Sequence, residues 1–114
     1  MYKILVVDDE PKIREVIREY AEFSGFEVTE AEDGMSAVGL CKLNDYDLIV
    51  MDIMMPKMNG YEATKAIRSL DDRPDGHAIP IIAMTANAFA EDVQASLDAG
   101  MNGHLSKPIA MDEV

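Results

Sequence analysis

The sequence predicts an α/β fold, in which one parallel sheet of five strands carries helices on both faces. Three observations predict it. Short apolar runs rich in branched residues recur along the chain, beginning with KILVV at Lys3–Val7. Stretches with apolar residues at helical spacing separate these runs. The connections are short and are punctuated by glycine, proline, asparagine and aspartate. Strands and helices alternating over such short connections pair in parallel through right-handed crossovers.

Lys3 to Val7 reads as a strand covered on both faces, because it is continuously apolar rather than alternating. Asp8-Asp9-Glu10-Pro11 follows. Pro11 suits the first turn of a helix, and acidic residues suit its positive end. Ile13, Val16, Ile17 and Tyr20 recur at helical spacing, and Gly25 supplies a left-handed stop. Phe26 to Ala31 alternates as a half-exposed strand. Asp33-Gly34 opens a second helix through about Leu43, with Ala37, Leu40 and Cys41 on one side.

A polar turn at Asn44–Asp47 leads into the central strand, Leu48 to Met51, and Asp52 stands where that strand ends. Pro56 and Asn59-Gly60 mark a tight loop. Tyr61 to Leu70 reads as a third helix with Ala63, Ile67 and Leu70 inward. Ile79 to Met84 is the fourth strand, with Pro80 near its start because proline cannot donate within a central ladder. Phe89, Val93 and Leu97 define a fourth helix that stops at Gly100. Gly103 to Ser106 is the fifth strand, and Lys107-Pro108 follows it.

A chain of 114 residues, 48% of them hydrophobic, fits one packed domain over residues 1–114. Its 22 acidic residues against 10 basic ones give a net charge of -12, which argues against direct contact with nucleic acid and permits cation binding or a basic partner. Cys41 is the only cysteine, so no intramolecular disulfide forms and a cytoplasmic setting is the simplest. No apolar run reaches membrane-spanning length and no secretory signal opens the sequence. Five strands call for helices on both faces, yet four helices are legible. The fifth would follow Pro108, so a C-terminal helix is expected to be missing. The sheet face left bare would favour a homodimer or a strand-exchanged dimer.

In such a sheet the carboxyl ends of strands one, three, four and five converge in the crevice where open α/β sheets bind ligands. That brings Asp8, Asp9, Asp52, Thr85 and Lys107 together. Clustered carboxylates repel, and a divalent cation resolves the repulsion. Few carboxylates, water and a carbonyl suit Mg²⁺. Asp52 reads as a nucleophile able to form an aspartyl phosphate, with Lys107 and the Thr85 hydroxyl on the phosphoryl oxygens.

These pieces, Ile4 to Glu10, Met51 to Pro56 with Asn59-Gly60, Ile82 to Ala86, and Lys107-Pro108, resemble the receiver domains of two-component response regulators, chemotaxis regulators among them. The likeness covers almost the whole chain. It implies a doubly wound flavodoxin-like sheet in the order 2-1-3-4-5. It also implies that Asp52 accepts a phosphoryl group from a histidine kinase or a histidine phosphotransfer protein. Asp9, Asp52 and the Met54 carbonyl would hold Mg²⁺, with Mn²⁺ as a substitute and Asp8 acting partly through water. Thr85 and Lys107 would contact the phosphoryl group. The family switches between two conformations by drawing the Thr85 hydroxyl inward while a strand-five side chain turns in behind it. That position is His104 here. Met54 and Asn87 stand where the family tunes phosphate lifetime.

Residues up to about Pro56 resemble receivers of DNA-binding regulators, and those from about Met58 resemble receivers of hybrid histidine kinases, which implies an engineered or recombined chain. Three other readings compete with the phosphoacceptor. A haloacid-dehalogenase-type aspartyl-phosphate phosphatase would carry a second acid two residues after the nucleophile, where Met54 stands. A flavin-binding flavodoxin relative would need a Ser/Thr/Gly-rich loop in place of Asp8-Asp9-Glu10. The last is a receiver-like scaffold that is never phosphorylated.

Overall fold

The three inner strands are largely apolar runs of five residues, the edge strands EVTEA and GHLS are more polar, and a strand carries its alternate side chains to opposite faces of the sheet. A computed structural model describes residues 2–55, 58–70, 79–85 and 90–106; for Thr85, residues 90–93 and Ser106 it describes the backbone alone. The elements are β1 (Lys3–Val7), α1 (Pro11–Phe23), β2 (Glu27–Ala31), α2 (Gly34–Leu43), β3 (Leu48–Asp52), α3 (Gly60–Arg68), β4 (Ile81–Thr85), α4 (Ala90–Ala99) and β5 (Gly103–Ser106). All neighbouring strands are parallel, and their order is β2-β1-β3-β4-β5.

The period of two along the strands divides the core between two layers. Leu5, Val7, Ile49, Met51, Ile81 and Ala83 face one way, packing with Ala37 and Cys41 of α2 and Ala63 and Ile67 of α3. Ile4, Val6, Val50 and Met84 face the other way and pack with Ile13 and Ala21 of α1. β2 lies at the edge and is only partly covered, as its polar alternation requires. The expected absence of a C-terminal helix concerns residues 107–114, which lie outside the described residues, and the expected dimer rests on the same stretch.

Local chemistry explains most boundaries. Asp33 caps α2 by accepting from the Ser36 amide at 2.7 Å. Asn59 and Glu62 form a reciprocal capping box on α3, with bonds of 2.9 and 3.0 Å. Gly25 and Gly100 take φ of 92° and 104° just past α1 and α4, the left-handed geometry that ends a helix.

Helical spacing alone does not decide which side chains of α1 and α4 are covered. Tyr20 is 72% exposed, and Ala21 is buried in its place. The buried line on α1 runs through Ile13, Ile17 and Ala21, four residues apart, and Tyr20 lies one residue around the turn. Leu97 is half-exposed, while Ser96 and Ala99 are buried. The small side chains on this face let α4 lie close against α3, its neighbour in space.

Candidate functional site

The acidic cluster arises because β1 ends at Val7 and the helix α1 does not start until Pro11. Three acidic residues therefore occupy the turn above the sheet. Asp8 is fully buried, whereas Asp9 and Glu10 are exposed. Asp8 Oδ1 accepts from the Glu10 amide at 2.9 Å, and the Asp8 amide donates to the Ala31 carbonyl at 3.1 Å. Carboxylate oxygens of Asp8, Asp9 and Glu10 all lie within 4.8 Å of one another. Glu10 was not among the ligands expected from sequence, although it continues the same acidic run.

Asp52 is the last residue of β3 and is 1% exposed. Val7 pairs with Met51, so Asp8 and Asp52 each stand one step further along adjacent strands. Asp52 pairs in turn with Met84, one residue before Thr85. Thr85 pairs with Ser106, the residue before Lys107. The register thus aligns the ends of β1, β3, β4 and β5 in the order the chemistry needs. Lys107 and Asn87 lie outside the described residues, as does Pro56.

The loop after Asp52 is tied to the sheet. The Ile53 amide donates to the Met84 carbonyl at 3.2 Å, and the Gly60 amide donates to the Ile53 carbonyl at 2.9 Å. Met55 turns into the core while Met54 is 79% exposed. Met54 is therefore at hand for solvent beside the site rather than committed to packing. His104 is exposed on β5 and in register with Ala83, two residues before Thr85.

An all-oxygen donor set of clustered carboxylates beside a buried Asp52 fits a hard divalent cation. Among the described residues this cluster offers oxygen donors alone, so it does not resemble a zinc site.

The sequence model of the family described as the response regulator receiver domain matches residues 4–114. The chain belongs to this family. Members are receiver domains of two-component signalling, phosphoacceptors rather than conventional enzymes, and they bind Mg²⁺ in an acidic pocket. The chain is 39% identical to the sensor histidine kinase RcsC of Escherichia coli (strain K12) over 111 residues, 97% of this chain and 11% of that protein. It is 38% identical to the response regulator MprA of Mycobacterium sp. (strain KMS) over 112 residues, 98% of this chain and 46% of that protein. The chain thus spans less than half of either relative.

Solved receivers superpose on the fold just described. The chemotaxis protein CheY4 of Vibrio cholerae matches with a TM-score of 0.88 at 33% identity, covering 96% of this chain and 89% of that one. The receiver domain of sensor histidine kinase PA1611 from Pseudomonas aeruginosa PAO1 matches with a TM-score of 0.83 at 40% identity, covering 98% and 89%. That receiver was solved with a magnesium ion coordinated in its active site cleft. The flavodoxin-like fold and the family expected from the sequence are both borne out. Among the described residues no helix is long and apolar enough to cross a membrane.

Proposed function

We propose that this receiver is an active phosphoacceptor and that Asp52 carries the phosphoryl group. The observation that carries the reading is a buried carboxylate, Asp52, ending the central strand level with Asp8 on the adjacent strand, where the carboxylates of Asp8, Asp9 and Glu10 cluster. Asp8, Asp9 and Asp52, with the Met54 carbonyl, would hold Mg²⁺, and Mn²⁺ would substitute. Bound there, the cation would neutralise charge on the phosphoryl oxygens.

An Asp52 oxygen attacks phosphorus of a phosphohistidine, the P–N bond breaks, and the imidazole leaves with its electron pair and takes up a proton. The donor is a histidine kinase or a histidine phosphotransfer protein. Thr85 and Lys107 contact the phosphoryl group, and His104 follows Thr85 in the switch between two conformations. Met54 and Asn87 tune phosphate lifetime. The domain occupies residues 1–114 and works in the cytoplasm, away from nucleic acid and membrane.

The test is intact mass after incubation with Mg²⁺ and acetyl phosphate, for the chain and for Asp52→Asn. A gain of one phosphoryl group, lost in the variant and lost on adding EDTA, supports the reading. No gain by a folded chain that binds Mg²⁺ would leave a receiver-shaped scaffold.

A further inference from the structure

The contact between α1 and β2 holds an ion-pair network that the phosphoryl chemistry above does not use. Arg14, on the first turn of α1, donates from Nε to Glu30 Oε1 at 2.9 Å. Its Nη1 donates to the main-chain oxygen of Asp8 at 2.7 Å. Arg18, one turn on, donates to the other oxygen of Glu30. Glu30 stands in β2, in register with Val6 of β1. The Arg14 and Glu30 side chains keep only 15% and 25% of their exposure, so water screens this pair less than it screens an exposed one.

The consequence falls on Asp8. Its amide is held by the Ala31 carbonyl and its carbonyl by Arg14, while its carboxylate is held by the Glu10 amide. Ala31 and Glu30 are adjacent residues of β2, so this edge strand fixes the Asp8 peptide on both sides, once directly and once through Arg14. Three carboxylates within 4.8 Å push the turn apart whenever no cation lies among them. A guanidinium locked by Glu30 opposes that. Its planar fork engages a carboxylate and a carbonyl together, which a point charge cannot do.

We infer that Arg14, oriented by Glu30, is a positioning residue for the acidic site, setting the Asp8-Asp9 main chain where a divalent cation is bound tightly. This rests on the reading of Asp8 and Asp9 as cation ligands. Positioning and plain electrostatics predict opposite signs. Removing a positive charge near a cation site tightens cation binding if charge alone matters. Removing a positioning contact weakens it, by roughly tenfold or more where outer contacts orient metal ligands.

The experiment is calorimetric titration with Mg²⁺ alone, on the parent chain, Arg14→Met, Arg14→Lys and Arg18→Met, with the thermal midpoint of each recorded. Arg18→Met also removes a positive charge from Glu30 but leaves the Asp8 carbonyl bonded. The expected result is Mg²⁺ affinity weakened roughly tenfold in Arg14→Met and not weakened in Arg18→Met. Equal or tighter binding by Arg14→Met overturns the proposal, and so does equal weakening by Arg18→Met. Should Arg14→Met not fold, Arg14→Lys decides: its ammonium serves Glu30 or the carbonyl singly, and parental affinity there overturns the proposal. A parent chain that binds no Mg²⁺ overturns the acidic-site reading itself, an outcome distinct from the others.

Discussion

Gly60 lies directly against the main-chain carbonyl of Asp52, and a Cβ at position 60 would collide with that oxygen and crowd the Ile53 α-carbon. The contact joins the first residue of α3 to the last residue of β3. It is main chain against main chain, so no flexible side chain can give way. Gly60→Ala must therefore move either the helix start or the Asp52 peptide. We expect a loss of about 1–3 kcal/mol of stability, in the range of overpacking substitutions. A urea titration reads it as a lower midpoint at unchanged slope. Phosphoryl uptake is expected to fall in the same variant, because the displaced peptide carries the proposed acceptor, Asp52.

That contact shows where sequence reading stops. The strand runs at Leu5-Val6-Val7 and Leu48–Met51 announced themselves, since continuous apolar stretches between turn residues have few other uses. Asp8, Asp9 and Asp52 were legible as a group because parallel strands bring their carboxyl ends to one edge. Gly60 read only as part of a turn, because close approach across the seven residues of loop between β3 and α3 leaves no periodic trace. Tyr20 and Leu97 share the helical spacing of their apolar neighbours, yet Tyr20 is exposed and Leu97 half-exposed. A rotation of one residue about a helix decides which side chain is buried, and that rotation is set by packing, with Ala21 and Ser96 taking the covered places. The Arg14–Glu30 pairing spans two elements and was invisible to a reading made one element at a time.

Arg68 is the second joint that sequence did not announce. Its Nη1 donates to the Ile79 carbonyl at 2.7 Å, and its Nε and Nη2 donate to the Gly100 carbonyl at 3.1 and 2.9 Å. Nη2 also reaches Asn102 Oδ1 at 2.8 Å, which accepts from the Ile81 amide as well. One guanidinium thus ties α3 to the start of β4 and the turn before β5, and burial lowers its pKa from the usual value. Arg68→Ala removes the donor from two carbonyls, and we expect a loss of about 2–3 kcal/mol, as for hydrogen bonds to a charged group. Arg68→Lys recovers less than half of it, because an ammonium cannot span these acceptors. Chemical denaturation of the three proteins checks both numbers.

If Asp8, Asp9 and Asp52 hold the cation as proposed, cation binding and stability are linked through the same carboxylates. A ligand bound only by the folded state stabilises it by about 2.7 kcal/mol at a hundred times its dissociation constant. Mg²⁺ is therefore expected to raise the thermal midpoint, and EDTA to return it. Asp9→Asn should abolish that rise. It should also raise the midpoint measured in EDTA, since it removes one charge from a set of carboxylates that repel within 4.8 Å. A variant midpoint that still climbs with Mg²⁺ would remove Asp9 from the ligand set.

Tyr46 gives the fold an alkaline limit. Its side chain is buried in the turn just before β3, and burial is the main cause that raises its pKa above 10.0; hydrogen bonding to Thr29 pulls the other way. The unfolded chain ionises this phenol at about pH 10, before the folded chain does. Between those two values the unfolded state binds fewer protons, so stability falls as pH rises through the unfolded value and levels off above the folded one. Below the unfolded value Tyr46 adds no pH dependence. Tyr46→Phe should thus flatten the alkaline loss of stability while leaving the neutral-pH slope unchanged. Denaturation midpoints taken from neutral pH to above pH 10, for both proteins, test it; parallel curves would mean that Tyr46 ionises as freely in the folded chain as in the unfolded one.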